Sequence, residues 1–241
     1  MIYTIATDKG GTAKTTTAAA IAQAATYKGR KALAIDLDPQ GNLTYCLAAD
    51  ARAAGSYELL NGAPAEDVIQ KSPQGMDVIS ASRDLRTETS AKGSARRLTA
   101  ALEPIRRKYG LIVIDTPATA GELQYNALMA ADRLIIALEA DTFSVQALYQ
   151  ITDTAAQIRQ SNPRLKIAGV MLARYEGNTN LNKYLRGQIE ETAKALKIPY
   201  LGEARKYNDI KAAIAFQQSL FDYAPKCKGA ADYMAIYERL K

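Results

Sequence analysis

Short, continuous apolar runs alternate along the chain with longer segments rich in helix-forming residues. The apolar runs predict strands at 1–6, within 31–42 before its closing turn, and at 76–80, 111–115, 134–138, 166–173 and 199–202. The intervening patterns predict helices near 17–25, 90–108, 121–130, 144–160, 179–197, 208–217 and 229–240, with a helix-poor segment near 39–47. Strands that alternate with helices indicate right-handed crossovers. We therefore predict an α/β fold with a doubly wound, mostly parallel sheet and helices on both faces.

The loop between the first strand and the first helix spans residues 9–16 and has the sequence KGGTAKTT. A glycine-rich loop that ends in a lysine and a hydroxyl at a helix start is typical of a phosphate-binding P-loop. Its backbone N–H groups and the positive end of the helix would face the β- and γ-phosphates. Lys14 would reach those oxygens, and Thr15 would bind Mg²⁺. The alternative for the motif alone is a tight turn with a solvated lysine.

Acidic residues follow two of the other predicted strands. Asp36 and Asp38 end the strand within 31–42, and Asp115 ends the strand at 111–115. Ligands bind at the carboxyl ends of parallel strands, so the loop and both acidic sites should meet at one edge of the sheet. This convergence favours a nucleotide site over a chance motif, with Thr15 as a Mg²⁺ ligand and Asp115 holding the ion through water.

The composition is that of one enzyme-sized domain. The 241 residues contain no linker, repeat or low-complexity tract, and 48% are hydrophobic, which suits a sheet covered on both faces. We predict a single domain over 1–241, with neither a signal peptide nor a membrane-spanning segment. Cys46 and Cys227 lie far apart and histidine is absent, which argues against a zinc site and against His-based catalysis.

These motifs resemble the ParA/MinD family of P-loop ATPases, whose deviant Walker A loop begins with an extra lysine, here Lys9. The similarity to ParA-type DNA-segregation ATPases covers nearly the whole chain. It includes DLDPQGN at 36–42, IDTP at 114–117, LQYNALMAAD at 123–132, LIIA at 134–137 and, more loosely, FDYAPKCKGA at 221–230. The resemblance implies slow, partner-stimulated hydrolysis of ATP that depends on Mg²⁺.

The resemblance also implies roles for individual residues. Asp38 would orient or activate the attacking water, Asp36 would lie nearer the metal, and Lys9 would cross a dimer interface to the partner's nucleotide. One acid of the Asp36–Asp38 pair could instead cap the following turn. The expected catalytic residues are Lys14, Asp38 and Lys9; the expected ATP contacts are Lys9, Gly10, Gly11, Thr12, Ala13, Lys14, Thr15, Thr16 and Arg205; and the expected metal ligands are Thr15, Asp36 and Asp115.

Two positions depart from the family's pattern. Ala13 stands where glycine usually precedes the P-loop lysine, and an uncommon backbone angle there costs a non-glycine residue roughly 1 kcal/mol. We expect the site to form, with nucleotide affinity or turnover lower than is typical. Ala118 stands where a second proline often follows Pro117, and we expect this to alter the second switch segment.

Positive charge is concentrated in the last third of the chain. The net charge is +6, and residues 174–241 carry twelve Lys or Arg against eight Asp or Glu. The resemblance implies that such a region binds DNA without sequence preference once ATP has dimerised the protein, with affinity from counterion release. Candidate contacts are Lys183, Arg186, Lys194, Lys197, Arg205, Lys206 and Lys211, of which Lys183, Arg186, Lys206 and Lys211 are preferred. The alternative is a solvated, salt-bridged helix face, because Glu190 and Glu191 lie among the basic residues.

The resemblance thus predicts a cytoplasmic, nucleoid-associated homodimer that sandwiches two ATP molecules. With a ParB-like centromere-binding protein, it would drive plasmid or chromosome partition. The alternative is a MinD-like membrane-positioning ATPase, anchored by the apolar stripe of the last helix, but we favour docking of that helix on the core. The stripe comprises Ala230, Tyr233, Met234, Tyr237 and Leu240. A nitrogenase-iron-protein-like reductase would need cysteines beside the second switch, and the sequence has none there.

Overall fold

The computed structural model describes residues 1–7, 9–87 and 94–240. The strands in these ranges are β1 (Ile2–Ala6), β2 (Ala32–Asp36), β3 (Gln70–Lys71), β4 (Asp77–Ile79), β5 (Leu111–Asp115), β6 (Arg133–Leu138), β7 (Lys166–Tyr175) and β8 (Tyr200–Arg205). The helices are α1 (Lys14–Tyr27), α2 (Asn42–Cys46), α3 (Ser56–Leu60), α4 (Ala65–Val68), α5 (Arg97–Leu102), α6 (Glu122–Ala130), α7 (Ser144–Arg159), α8 (Asn180–Ala195), α9 (Asn208–Ala215), α10 (Leu220–Tyr223) and α11 (Lys228–Glu238). None of these helices is both long and apolar enough to cross a bilayer.

The strands form one sheet in the order β3-β4-β2-β5-β1-β6-β7-β8. Neighbouring strands are parallel throughout, apart from the antiparallel pair β3–β4. The predicted doubly wound, mostly parallel sheet is therefore confirmed. Strand β1 lies between β5 and β6, and the chain winds outward from it in both directions. The carboxyl end of β1 thus lies where crevices form in folds of this kind.

Both faces of the sheet are covered, as the continuous apolar strands require. Successive β1 residues point to opposite sides: Tyr3 and Ile5 join the cluster with α1 and α11, whereas Ile2 packs with α5 and α6. The alanines of α1 are buried because their small side chains let the helix approach the sheet closely. This close packing holds the start of α1 firmly against the end of β1.

The last helix, α11, docks on this core. Tyr233 is 1% exposed, Tyr237 and Leu240 are buried, and the Tyr3 hydroxyl donates to the Leu240 carbonyl at 2.9 Å. The apolar stripe of α11 is therefore occupied by the protein's own interior. The expected docking of this helix on the core is therefore confirmed.

Three local expectations were wrong or incomplete. The segment 39–47 is not helix-poor, because α2 forms there after Gly41, whose φ is +68°. The continuous basic helix expected over 90–108 is not found. Its residues 90–93 lie outside the described ranges, and α5 ends at Leu102 because Pro104 has no N–H to continue it. The short elements β3, α3, α4 and α10 were not predicted.

Candidate active site

The loop between β1 and α1 has the backbone geometry of a phosphate cradle. Gly11 has φ +76°, and Ala13, the N-cap of α1, has φ +58° and ψ +31°. The expected uncommon angle at Ala13 is thus confirmed, and alanine bears the steric cost of a left-handed conformation. No side chain caps the start of α1. Its first N–H groups and its positive end therefore remain for an anion, which fits the phosphates that the motif predicts.

Lys14 lies at this helix start with its side chain folded over the loop. The residue is 6% exposed, and its Nζ donates to the Lys9 carbonyl at 2.9 Å and to the Thr7 carbonyl at 3.5 Å. Backbone carbonyls thus hold the ammonium group beside the N–H groups of the loop. In this position it can neutralise a polyphosphate that lies on the same N–H groups.

Thr15 and Asp115 meet at the carboxyl end of β5. The Thr15 hydroxyl donates to Asp115 Oδ2 at 2.6 Å, although 100 residues separate the two in sequence. A hydroxyl beside a carboxylate suits Mg²⁺, which usually takes one or two protein ligands together with phosphates and waters. The convergence expected from the strand ends is therefore present, and these two residues fit the metal.

Asp36 lies next to Asp115 but is engaged differently. The two residues are register partners on β2 and β5. Asp36 Oδ2 accepts from the backbone N–H and the hydroxyl of Thr44, both at 2.8 Å, and Oδ1 accepts from the Asp38 N–H at 3.0 Å. Both oxygens therefore organise the segment from Asp38 to Thr44. This arrangement favours a positioning role for Asp36 over the metal ligation that we expected.

The Asp36 and Asp115 carboxyl groups are fully buried, and this burial raises the pKa of each. Burial raises the pKa of Asp36 to about 6, against the hydrogen bonds from Thr44 and Asp38. Burial, and after it the charge of Asp36, also raises the pKa of Asp115 well above its usual range. Two buried acids with raised pKa values form a site that favours a bound cation.

The position of Asp38 is compatible with both of the roles considered for it. Its Oδ1 accepts from the Gln40 N–H at 2.9 Å, and its carbonyl accepts from the Gly41 N–H at 2.8 Å, so it does cap the following turn. The residue also lines the cavity beside Lys14 and Thr15. A half-buried carboxylate held by a turn can still face a reacting water.

Lys9 is paired within its own chain. Its ammonium group forms an ion pair with Asp141, which lies in the turn after β6. Asp141 Oδ1 also accepts from the Phe143 N–H at 2.8 Å, which fixes the carboxylate just before α7. Any role for Lys9 in a partner subunit therefore requires this ion pair to break.

A cavity of about 530 Å³ joins these groups. Its lining residues are Gly11, Thr12, Ala13, Lys14, Thr15, Thr16, Asp38, Gln40, Asn42, Thr116, Ala118, Arg174, Arg205, Lys206, Tyr207, Ile210, Lys211, Ile214 and Tyr233. Of the expected ATP contacts, Lys9 and Gly10 are not among them. The volume lies within the range of small-molecule sites. The residues from α9 supply an apolar wall that the strand-end argument did not identify.

The basic residues of the last third divide into two groups. Arg205 lines the cavity, but its guanidinium group is held by Asp232 through contacts of 2.6 and 2.8 Å. Lys206 and Lys211, expected as DNA contacts, also line the cavity. Lys183 and Arg186 instead lie on α8, where Arg186 Nε is 2.5 Å from Glu203 Oε1. Of the four preferred DNA contacts, two therefore line the cavity and two lie on α8.

Sequence reasoning missed several residues of the site. Arg174, the penultimate residue of β7, has φ +53° and forms an ion pair with Glu139 at 3.2 Å, and Tyr207 precedes α9. Both lie at the carboxyl ends of parallel strands, so the strand-end rule that located Asp115 would also have indicated them. Asp141 follows β6 and falls under the same rule, but nothing in the sequence indicated its ion pair with Lys9.

Known proteins are similar to this chain in sequence and in fold. Residues 1–167 match a protein family described as an AAA domain. The chain is 34% identical to the chromosome partitioning protein ParA of Caulobacter vibrioides, over 98% of this chain and 91% of that one. It is 30% identical to the chromosome-partitioning ATPase Soj of Thermus thermophilus, over 98% and 93%. A solved structure, cobyrinic acid a,c-diamide synthase from Mycobacterium smegmatis with bound ATP analog and magnesium, has a TM-score of 0.83, 28% identity, and coverage of 98% and 92%. The chain therefore belongs to the ParA/Soj family of chromosome-partitioning ATPases.

Proposed function

We propose that this ATPase dimerises on binding ATP and Mg²⁺, binds DNA without sequence preference, and partitions a plasmid or chromosome with a centromere-binding partner. The observation that carries the proposal is the meeting of Lys14, Thr15 and Asp115 beside Asp38 at one end of the sheet. Membership of the partitioning family supports the cellular role. Nucleoid association would follow from the DNA binding.

The chemistry follows from these positions. The loop N–H groups and Lys14 bind the β- and γ-phosphates, and Thr15 with Asp115 would hold Mg²⁺. The ion, when bound, neutralises charge on the phosphate oxygens. Asp38 accepts a hydrogen bond from the attacking water at Oδ2, because Gln40 N–H already engages Oδ1. Asp36 keeps the segment that carries Asp38 in place through Thr44.

Lys9 links hydrolysis to dimerisation in this proposal. Two facing loops would bring two polyphosphates together, and a lysine from each subunit would offset their repulsion. The ion pair with Asp141 supports a monomer in which Lys9 is restrained. ATP in the partner subunit would then compete with Asp141 for the ammonium group.

The DNA surface that we propose is centred on α8. Lys183 is exposed there, and Arg186 lies one turn further along the same helix. The positions of Lys206 and Lys211 on the cavity wall favour a role near the nucleotide over one on DNA. The MinD-like alternative has weaker support, because the core already covers the apolar stripe of α11.

A paired assay tests the proposal. DNA-shift and liposome-flotation measurements, each with no nucleotide, ADP–Mg²⁺ and ATP–Mg²⁺, should show DNA binding with ATP alone and no flotation. Lys14→Ala should lose nucleotide affinity and, with it, DNA binding. Unchanged nucleotide affinity in Lys14→Ala would refute the site assignment, and ATP-dependent flotation without DNA binding would favour the membrane alternative.

A further inference from the structure

Three glutamine residues from different elements meet between α2 and the end of α9. Gln23 belongs to α1, Gln74 lies in the turn between β3 and β4, and Gln217 follows α9. We call this set the glutamine tie. Gln23 is only 6% exposed, so most of its amide is satisfied by protein groups rather than by water.

The hydrogen bonds of the tie fix the orientation of each amide. Gln74 Nε2 donates to the carbonyls of Cys46, at 2.8 Å, and of Gln217, at 2.9 Å. Its Oε1 must then accept, and it does so from Gln23 Nε2 at 2.9 Å. The remaining oxygen of Gln23 accepts from the Leu220 N–H at 3.2 Å. Each side-chain donor is thus paired with an acceptor along a continuous hydrogen-bonded path from α1 to α10.

The tie fastens α2 to the end of α9. Gln217 Nε2 donates to the Tyr45 carbonyl at 2.9 Å, and the Tyr45 hydroxyl donates to the Ala215 carbonyl at 3.4 Å. The carbonyls of Tyr45 and Cys46 belong to the last turn of α2, where the helix itself offers no i+4 partner. A helix of five residues is marginal alone, so these contacts help to hold α2 together with the burial of Leu43 and Cys46 and the Thr44–Asp36 hydrogen bonds.

The two helices that the tie joins form different walls of the nucleotide cavity. From α9 come Ile210, Lys211 and Ile214, and α2 begins at Asn42, which lines the cavity with Asp38. The P-loop binds the phosphates of a nucleotide, so the nucleoside of the same molecule can pack against the α9 wall.

We propose that the glutamine tie couples the α9 wall to α2. When the nucleoside occupies the α9 wall, the tie stiffens α2, and the stiffened helix positions Asp38. Gln23, Gln74 and Gln217 are then positioning residues, since none of them lines the cavity. The inference rests on the proposed nucleotide site and adds its internal regulation. Phosphate alone would fill the P-loop without ordering the catalytic segment.

Hydrogen exchange read by mass spectrometry tests this coupling, with ADP–Mg²⁺ and pyrophosphate–Mg²⁺ as probes. In the wild type, ADP should slow exchange in 42–46 and 208–215, whereas pyrophosphate should slow it only at the start of α1. Gln74→Leu removes both donors at similar volume. Gln217→Gly removes the side-chain bond and suits the left-handed φ of +52° at that position, so this variant should fold. Gln218→Ala, at the exposed neighbouring position, is the control.

In both tie variants, ADP should still protect 208–215 but no longer 42–46, and ADP affinity should stay within about twofold of the wild type. The kcat for ATP should fall about fivefold in Gln217→Gly, the effect of one lost hydrogen bond, and further in Gln74→Leu, which loses three. Undiminished protection of 42–46 in the tie variants, or equal protection by pyrophosphate in the wild type, would overturn the coupling alone. A wild type that binds no ADP in calorimetry would overturn the proposed function together with it.

Discussion

We predict that the buried pair Asp36 and Asp115 destabilises the Mg²⁺-free protein at neutral pH. Both side chains are fully buried and adjacent in the sheet. Burial raises the pKa of Asp36 from 3.8 to about 6, which corresponds to roughly 3 kcal/mol. Because the folded state binds this proton more tightly than the unfolded chain, the stabilisation is present below pH 4 and lost as the pH rises through 6.

Asp115→Asn should remove one of the two charges without removing the shape. The amide oxygen can accept from the Thr116 N–H, which now donates to Oδ1 at 3.1 Å, and the amide nitrogen can donate to the Thr15 hydroxyl. Because burial and then the charge of Asp36 oppose ionisation of Asp115, a neutral amide there should raise the free energy of unfolding at pH 7.5 by roughly 1–3 kcal/mol. The gain should be smaller at pH 5, where Asp36 is largely protonated.

Urea unfolding followed by circular dichroism, in EDTA at pH 5 and pH 7.5, measures this gain. Asp153→Asn, a change at an exposed position in α7, is the matched control and should leave stability within about 0.5 kcal/mol of the wild type. An Asp115→Asn protein that is no more stable at pH 7.5, or that gains equally at both pH values, would refute the electrostatic argument.

Four further predictions concern the proposed mechanism. Asp38→Ala should lower kcat about a hundredfold or more while ATP binding survives, so sedimentation with ATP should show an accumulated dimer; normal turnover would remove Asp38 from catalysis. Lys9→Ala should bind nucleotide yet sediment as a monomer, and an active dimer would exclude the trans-lysine role. Ala13→Gly should relieve the left-handed strain and raise the free energy of unfolding by roughly 0.5–1 kcal/mol; a loss would mean that the methyl group's packing outweighs the strain. Reversing Lys183 and Arg186 together should weaken ATP-dependent binding to all DNA sequences at least about tenfold and leave ATP affinity intact, whereas loss at one sequence alone would contradict non-specific binding.

Features that depend on local sequence were predictable. The strands β1, β2 and β5 are continuous apolar runs because both faces of the sheet are covered, and their carboxyl ends must then share one edge. The left-handed angle at Ala13 was expected from the family resemblance, in which glycine usually takes this position. The docking of α11 follows from an apolar stripe that ends in few bulky anchors.

Features that depend on long-range contacts were not predictable. Helix α2 is too short for a periodic signal, and it is held by Asp36, Gln74 and Gln217 from distant parts of the chain. The charges of Lys206 and Lys211 suit a DNA surface and a cavity wall equally well in sequence. Only the tertiary structure, which brings the end of β8 and α9 beside the P-loop, shows that both lysines line the cavity.

The central position of β1 has a consequence for the growing chain on the ribosome. Ile2 pairs with Ile112 and Tyr3 with Arg133, so β1 has no neighbouring strand until β5 and β6 have been made. At about 5–20 residues per second, that interval lasts on the order of 5–20 s. Throughout it, the P-loop lacks Asp115, the α9 wall and its supporting sheet. A nascent chain therefore cannot hold nucleotide early, and ATP can stabilise this fold only after most of it has been synthesised.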